Sequence, residues 1–377
     1  MPIQKLLIED FIQLAKQHPV LDVRSPGEYS HAHIPGAENL ALFTDEERAV
    51  VGTAYKRQSR EQAIKTGLDY FGPKMRGMVE TVEKISEVRS TMYNNPSNQI
   101  SGVHRTSNIV LTHCWRGGMR SAGVAWLLDL YGFKVYTLVG GYKAYRKWVR
   151  DQFEKEYAFN IIGGHTGSGK TLVLHELIKQ QQPAIDLEAL ANHKGSAFGA
   201  VGKQPTQEMF ENLLAQHLSD VSIKMTVKEE SAAVISHLSS SIWLEDESQR
   251  IGNLQIPIPL WNTMRKSPVY FLDIPFEARL DYITEEYGKN EKEKLVNATI
   301  RIQKRLGGLE TKNVISHLLE DNHKEAFRIL LRYYDKWYQK ALFNRENPGG
   351  LLNKIPCSGV DTLINTKKIT AWPSATV

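Results

Sequence analysis

Between Pro19 and Arg150 the chain alternates short β-rich apolar runs with segments of helical period. "PVLDVRS" ends in polar residues and leads into "SPGEY". "NIVLTHC" leads to "SAGVAWLLDLYG", an apolar-periodic helix closed by Gly132, and "KVYTLVGG" leads through Gly140 and Gly141 into "YKAYRKWVRDQF". Strands alternating with helices predict an α/β unit with a parallel sheet and sites at the strand C-termini. Residues 43–75 are polar and helical and read as an insertion, and the N-terminal twenty residues read as a short amphipathic helix. The charged stretch "VRDQFEKEYA" then joins a second unit, in which "FNIIGG", "PAIDLE", "SIWLEDES" and "VYFLDIP" repeat the strand pattern. After Lys289 the chain turns helical and cationic, while the last stretch, "TKKITAWPSATV", lacks a clear period and is expected to be mobile. The expected division is therefore 1–150 and 151–377, with no internal repeat or low-complexity tract.

Composition changes this picture little. With 377 residues, 41% of them hydrophobic, the chain can bury two cores of ordinary domain size. No run reaches the roughly 18 apolar residues of a membrane span, so no membrane partner is expected. The N-terminal apolar stretch carries acidic and amide residues, unlike a secretory signal. Two cysteines, Cys114 and Cys357, lie far apart with no CxxC, which excludes a disulfide framework and a cysteine zinc site and leads us to expect a reducing, cytoplasmic setting. A net charge of +5 is a mild basic excess, compatible with nucleic acid or with any anionic substrate.

The first chemical feature is "HCWRGGMRS", residues 113–121. Cys114 closes a strand and a helix begins near Ser121, so the intervening loop lies at a helix N-terminus, where free amides and the helix dipole favour an anion. Gly117 and Gly118 permit the positive-φ geometry that turns successive N–H groups inward. Arg116 and Arg120 add fixed positive charge, and the Arg120 guanidinium can fork onto an oxyanion. Each effect stabilises a thiolate, the nucleophilic form of cysteine. Cys357, in "IPCSG", has no such neighbours and reads as a small packing residue.

The second feature is "GGHTGSGKT". Gly164, Gly169, Lys170 and Thr171, with Gly167 inside the loop, form a full Walker A pattern between a strand and a helix. Its amides would cradle phosphates, Lys170 would neutralise them and Thr171 would hold Mg²⁺ where a metal is used. Of the carboxylates that end strand-like runs, Asp246 or Glu247 is the expected acidic partner, because the polar "SQRIG" follows. Asp186 and Glu188 lie at another strand end, before "ANHKGSAFG", where His193, Lys194 and Gly195 either contact phosphate or form an ordinary surface loop. In the cationic tail, Arg301, Lys304 and Arg305 fall on one side of a helix, and Tyr333, Tyr334, Trp337 and Tyr338 follow. Basic residues beside aromatics suit single-stranded RNA, though an ordinary solvated helix with core aromatics has the same pattern.

"LDVRSPGEYSHAHIPGAENL", the cysteine loop and "VYTLVGGYKAY" occur in the order of a rhodanese domain, which residues 1–150 resemble. That family carries sulfur as a cysteine persulfide. Here the Cys-x5-Arg loop is one position longer than usual and, with His113, matches the His-Cys-x5-Arg pattern of cysteine phosphatases, some of which share the fold. End to end, the sequence is similar to the bacterial tRNA 2-selenouridine synthases, on "DVRSPGEY", "AYKRQSREQAIKTGLDYF", "HCWRGGMRS", "GHTGSGKT", "DLEALANHKGSAFG", "QPTQEMFEN" and "EDESQRIG". The resemblance implies a rhodanese-like domain with a helical insertion, followed by a P-loop NTPase-like domain with a helical C-terminal part. It implies a transferase acting on wobble 2-thiouridine in the tRNAs for lysine, glutamate and glutamine. The base would be geranylated from geranyl diphosphate, and the group then replaced by selenium from selenophosphate, with Cys114 carrying the selenium and a selenophosphate-supplying enzyme as a partner. Two rival readings stay open on the residues alone: a cysteine phosphatase fused to a kinase-like domain, and a non-catalytic, nucleotide-gated RNA-binding protein.

Overall fold

A computed structural model describes residues 3–93, 108–195, 202–231, 241–289 and 291–372. The chain forms two units, Met1–Asp151 and Gln152–Val377.

The first unit is built on a wholly parallel five-stranded sheet. Its strands are β1 (Gln4–Leu6), β2 (Val20–Asp22), β3 (Glu38–Asn39), β4 (Ile109–His113) and β5 (Lys134–Leu138), in the order β1-β5-β4-β2-β3. Central strands β2 and β4 are buried on both faces, so they read as continuous apolar runs. Edge strand β1 corrects the reading of the N-terminus as one helix: Gln4 and Lys5 are exposed and carry no strand alternation, and the helix begins only at Ile8 (Ile8–Ala15). The polar insertion folds as helices Asp45–Arg57, Arg60–Phe71 and Met75–Tyr93, running past residue 75. It is no appendage, because Phe71, Met78 and Val82 pack with Leu21, Val110, Val124, Leu128 and Val135 in one core. One apolar residue per turn is enough to seat each helix, which explains the polar appearance of the segment.

The second unit carries a parallel four-stranded sheet, β11-β10-β6-β7, made of β6 (Phe159–Gly163), β7 (Ile242–Glu245), β10 (Val269–Asp273) and β11 (Leu352–Pro356). A small antiparallel pair, β8 (Arg250–Ile251) and β9 (Leu254–Gln255), follows β7. The expected strand in "PAIDLE" is reduced to a single bridge between Ala184 and Trp243, and the chain turns at once into helix Leu187–Ala191. One core lies against the sheet (Ile162, Leu174, Trp243, Leu272, Ile355). Another joins the C-terminal helices through Leu280, Leu295, Val314, Leu318, Phe327 and Leu330. The tail expected to be mobile is instead helix Thr362–Ala371, capped by the Asp361 carboxylate on the Ile364 N–H and seated by buried Ile369; residues 373–377 lie outside the described part.

Candidate functional site

The cysteine loop leaves β4 at His113 and enters helix Met119–Tyr131 with Gly118 at its N-cap. Its shape comes from the next crossover. Helix Gly141–Phe153 follows β5, and its first amides donate to the loop's carbonyls: Tyr142 N–H to Cys114 O at 2.8 Å and Lys143 N–H to Trp115 O at 3.0 Å. With those carbonyls drawn away, the loop's own N–H groups are left to turn towards the sulfur. Gly117 (φ 64°) and Gly141 (φ 58°) make this approach possible. A Cβ on Gly141 would collide with the Cys114 carbonyl and the Gly117 nitrogen, and one on Gly117 would lie 2.6 Å from Leu138 O.

Cys114 Sγ is buried, receives the Gly118 N–H at 3.2 Å and lies 3.3 Å from the Ser121 hydroxyl, which also reaches Gly118 O at 3.1 Å. Burial pushes the thiol up, but the Ser121 hydroxyl and the amides of Ser121, Gly118 and Arg116 outweigh it, leaving the thiol more acidic than an ordinary cysteine. Backbone amides and the Ser121 hydroxyl, rather than an arginine side chain, are the groups that lower this thiol. Arg120 instead donates to Glu28 Oε2 at 2.8 Å, and Arg48 pairs with the same oxygen at 2.8 Å. The guanidinium therefore stands at the loop's end on a carboxylate tether, and Arg116 is exposed at the rim. Glu28 sits in helix Pro26–His31, which opens with a capping box at Ser25; "SPGEY" was legible as the segment after the strand, without this role.

Beneath the loop, fully buried Arg24 forks onto Asp22, donates to Ala32 O at 2.8 Å and covers the Tyr142 ring at 3.7 Å. This fixes Tyr142, and Trp115 leans on it with ring centroids 5.7 Å apart. His113 is buried with neither ring nitrogen hydrogen-bonded; burial holds it neutral although Asp22 lies 3.7 Å away. It packs under the loop rather than facing the sulfur's hydrogen-bonding shell.

The phosphate loop runs from β6 into helix Lys170–Lys179. Gly164, Gly167 and Gly169 have φ of 154°, 80° and 71°, as a loop with inward amides requires. Lys170 Nζ donates to Gly164 O at 3.0 Å. Two side chains brace the loop from outside. Tyr338, from helix His323–Phe343, accepts the Gly164 N–H at 3.0 Å and donates to Asp246 at 2.7 Å. Arg279, buried, donates to Thr166 O at 3.0 Å while forking onto Asp335 at 2.9 and 2.7 Å.

The expected acidic partners separate. Asp246 is spent on the brace, paired with buried Arg345 at 2.6 Å and with Tyr338. Asp186 caps helix Leu187–Ala191 by accepting the Ala189 N–H at 2.7 Å and pairs with His175. Glu247 does stand at the loop, grouped with Glu188 and Glu245, one oxygen of each lying within 4.8 Å of the others. Thr171 Oγ1 reaches Glu188 Oε2 at 3.4 Å. Burial, then Glu188, push Glu245 up to about 8, against smaller opposing pulls from Thr171 and Lys170. Burial, then Glu188 and Glu245, raise Glu247, whereas Glu188 is raised by burial and Asp186 against opposing pulls from Lys170, Thr171 and Lys194. Glu245 was missed because it ends β7 as part of an apolar run, whereas its exposed-looking neighbours drew the assignment.

Arg301, Lys304 and Arg305 are exposed along helix Lys292–Leu306. Arg301 lies close enough to depress His193, after burial, and Arg305 hydrogen-bonds Tyr333. Lys194 sits over the Tyr287 ring at 5.8 Å. Of the four aromatics, Tyr333 and Trp337 form an edge contact at 6.5 Å beside the basic helix, Tyr334 stacks edgewise on Tyr333, and Tyr338 belongs to the phosphate loop.

Residues 157–351 match the AAA domain of tRNA 2-selenouridine synthase and residues 7–147 a rhodanese-like domain. The chain is 35% identical to tRNA 2-selenouridine synthase of Hydrogenovibrio crunogenus, covering 90% of this chain and 93% of that one. It belongs to the tRNA 2-selenouridine synthase family. The protein of that name from Bdellovibrio bacteriovorus is 33% identical over 87% of this chain and 89% of its own. In Nitrosomonas europaea the identity is 36% over 71% and 63%. Within this family, the cysteine loop falls in the rhodanese-like match and the phosphate loop with its three glutamates in the AAA match.

Proposed function

We propose that the chain modifies the wobble 2-thiouridine of tRNA in two steps, geranylation at the phosphate loop and selenium insertion at Cys114. The observation that carries this reading is the Cys114 thiol, buried under inward amides and made acidic by them, in a chain that also bears a phosphate loop. A sulfur doubly bonded to C2 leaves poorly, whereas an S-geranylated sulfur departs as a thiol, so alkylation is activation. The thio sulfur attacks C1 of geranyl diphosphate, and diphosphate leaves with the electron pair. The loop amides and Lys170 are suited to hold that leaving group, since they stabilise charge where it develops. Selenium enters from selenophosphate, whose phosphoryl group suits the amides of the seven-position loop and the tethered Arg120. The Cys114 thiolate takes the selenium while phosphite leaves with the P–Se electron pair, and the terminal selenium displaces geranylthiol at C2. An external thiol reductant then cleaves the S–Se bond to free the 2-seleno base, the resulting disulfide on Cys114 being reduced by a second thiol. A selenophosphate-supplying enzyme is then a natural partner. The substrates would be the tRNAs for lysine, glutamate and glutamine, with Arg301, Lys304 and Arg305 contacting phosphates. Mg²⁺ beside Thr171 would neutralise diphosphate charge when bound. Family membership is the reason to set aside the phosphatase–kinase fusion and the non-catalytic RNA binder.

Lys170→Ala tests the assignment of the first step. It should abolish geranylation of thiolated tRNA and spare selenation of tRNA supplied already geranylated, both read by nucleoside mass spectrometry. Geranylation at the parental rate would place the diphosphate elsewhere.

A further inference from the structure

The three glutamates at the phosphate loop are more than one acidic partner requires. β7 ends at Glu245, and the tight three-residue turn after it (Glu247 N–H to Glu245 O, 2.9 Å) keeps Glu247 beside it. Glu188 arrives from the first turn of helix Leu187–Ala191, so that the three carboxylates converge, one oxygen of each within 4.8 Å of the others. Glu245 is fully buried, and neither of its oxygens has a hydrogen-bond partner. Among the described residues, no lysine or arginine forms an ion pair with any of the three, and Lys170 spends its contact on Gly164 O. The backbone closes over the group at Gly195 (φ 48°), where a Cβ would stand 2.7 Å from Glu247 Oε2 and 2.8 Å from Glu188 Oε1.

A buried carboxylate without donors, beside two others, is costly unless it takes up a proton or a positive charge shares the space. The possible ligands gathered here among the described residues are hard oxygens, three carboxylates and the Thr171 hydroxyl, 3.4 Å from Glu188 Oε2. Such a donor set suits Mg²⁺ or Mn²⁺, and it lacks the sulfur and imidazole ligands typical of zinc. We propose that Glu188, Glu245 and Glu247 form a resident divalent-cation site, completed by Thr171, that fills before any phosphate compound enters the loop. Four protein oxygens, three of them from carboxyl groups that give up their protons to the metal, can retain the ion alone, whereas a site resting on Thr171 and one carboxylate would depend on the phosphate to hold it. The proposal does not depend on which phosphate compound the loop binds.

The test uses the full-length protein, stripped with chelator and free of phosphate, titrated with Mn²⁺ by electron paramagnetic resonance and calorimetry. Wild type should bind one tight Mn²⁺ per chain, displaced by Mg²⁺, with a rise in Tm on loading. Glu245→Gln and, separately, Glu247→Gln should each weaken Mn²⁺ by at least the roughly 10- to 100-fold that losing a supporting hydrogen bond alone costs a metal site. The stripped Glu245→Gln protein should melt no lower than stripped wild type, because glutamine keeps the shape of the buried side chain and brings no charge. Its Tm should respond little to Mn²⁺. No binding by stripped wild type at millimolar Mn²⁺, or wild-type affinity in either variant, would overturn the proposal.

Discussion

Cys114 owes its acidity to local geometry rather than to the arginines that first draw the eye. The Ser121 hydroxyl and three backbone amides lower the thiol, while Arg120 is held 2.8 Å from Glu28. Since the thiol is depressed, alkylation by iodoacetamide should reach half its maximal rate below the roughly 8.5 of a free cysteine. Ser121→Ala should move that midpoint upwards. The native state binds fewer protons than the unfolded chain between the lowered value and the unfolded one, so this group's contribution to stability rises with pH across that window and is lost below it. An unshifted midpoint in both proteins would remove the hydroxyl from the account. Gly141→Ala tests the packing that shapes the loop: a strained φ and the collision with Cys114 O should cost at least about 1–3 kcal/mol in urea unfolding. The cysteine, glycines and arginines were legible in the sequence because each has a known use beside an anion. Ser121, Glu28 and Gly141 were not assigned their roles, since those depend on contacts made across a turn of helix or between crossovers.

At the level of elements, helix His323–Phe343 acts on the phosphate loop through its side chains. Tyr338 bridges Gly164 N–H and Asp246, and Asp335 holds Arg279 against Thr166 O. Tyr338→Phe should lower stability by about 1–3 kcal/mol, since a buried amide and a carboxylate both lose a partner. Urea unfolding reads this cost, and an unchanged midpoint would mean that water replaces the hydroxyl without loss. Strands β2, β4, β5, β6, β7 and β10 were legible as apolar runs between turn residues. Edge strands β1 and β11 were hidden because few of their residues are buried: Gln4 and Lys5 are exposed, and of Leu352–Pro356 only Ile355 is fully covered. The same burial logic hid Glu245, which continues the run "IWL" as a fourth covered residue of β7.

On the scale of the whole molecule, each unit has its own sheet and core, and each places its site at the C-terminal end of a central parallel strand, β4 or β6. The alternation of strands and helices made that layout legible. The basic helix Lys292–Leu306 was legible as charge but not as a surface: Arg305 is engaged with Tyr333, and Arg301 lies near His193. If this helix contacts tRNA, charge reversal at Arg301 and Arg305 should weaken all substrate tRNAs alike and flatten the salt dependence of binding, because fewer counterions are released. Unchanged affinity and slope would move the tRNA elsewhere. The central claim is the division of labour between a thiol that moves selenium and a phosphate loop that serves alkylation. Its most direct measurement is nucleoside mass spectrometry of thiolated tRNA incubated with Cys114→Ser protein, geranyl diphosphate and selenophosphate. The account predicts full geranylation, no 2-selenouridine and accumulation of the geranylated base. Loss of geranylation in a folded variant, or normal formation of 2-selenouridine, would contradict it.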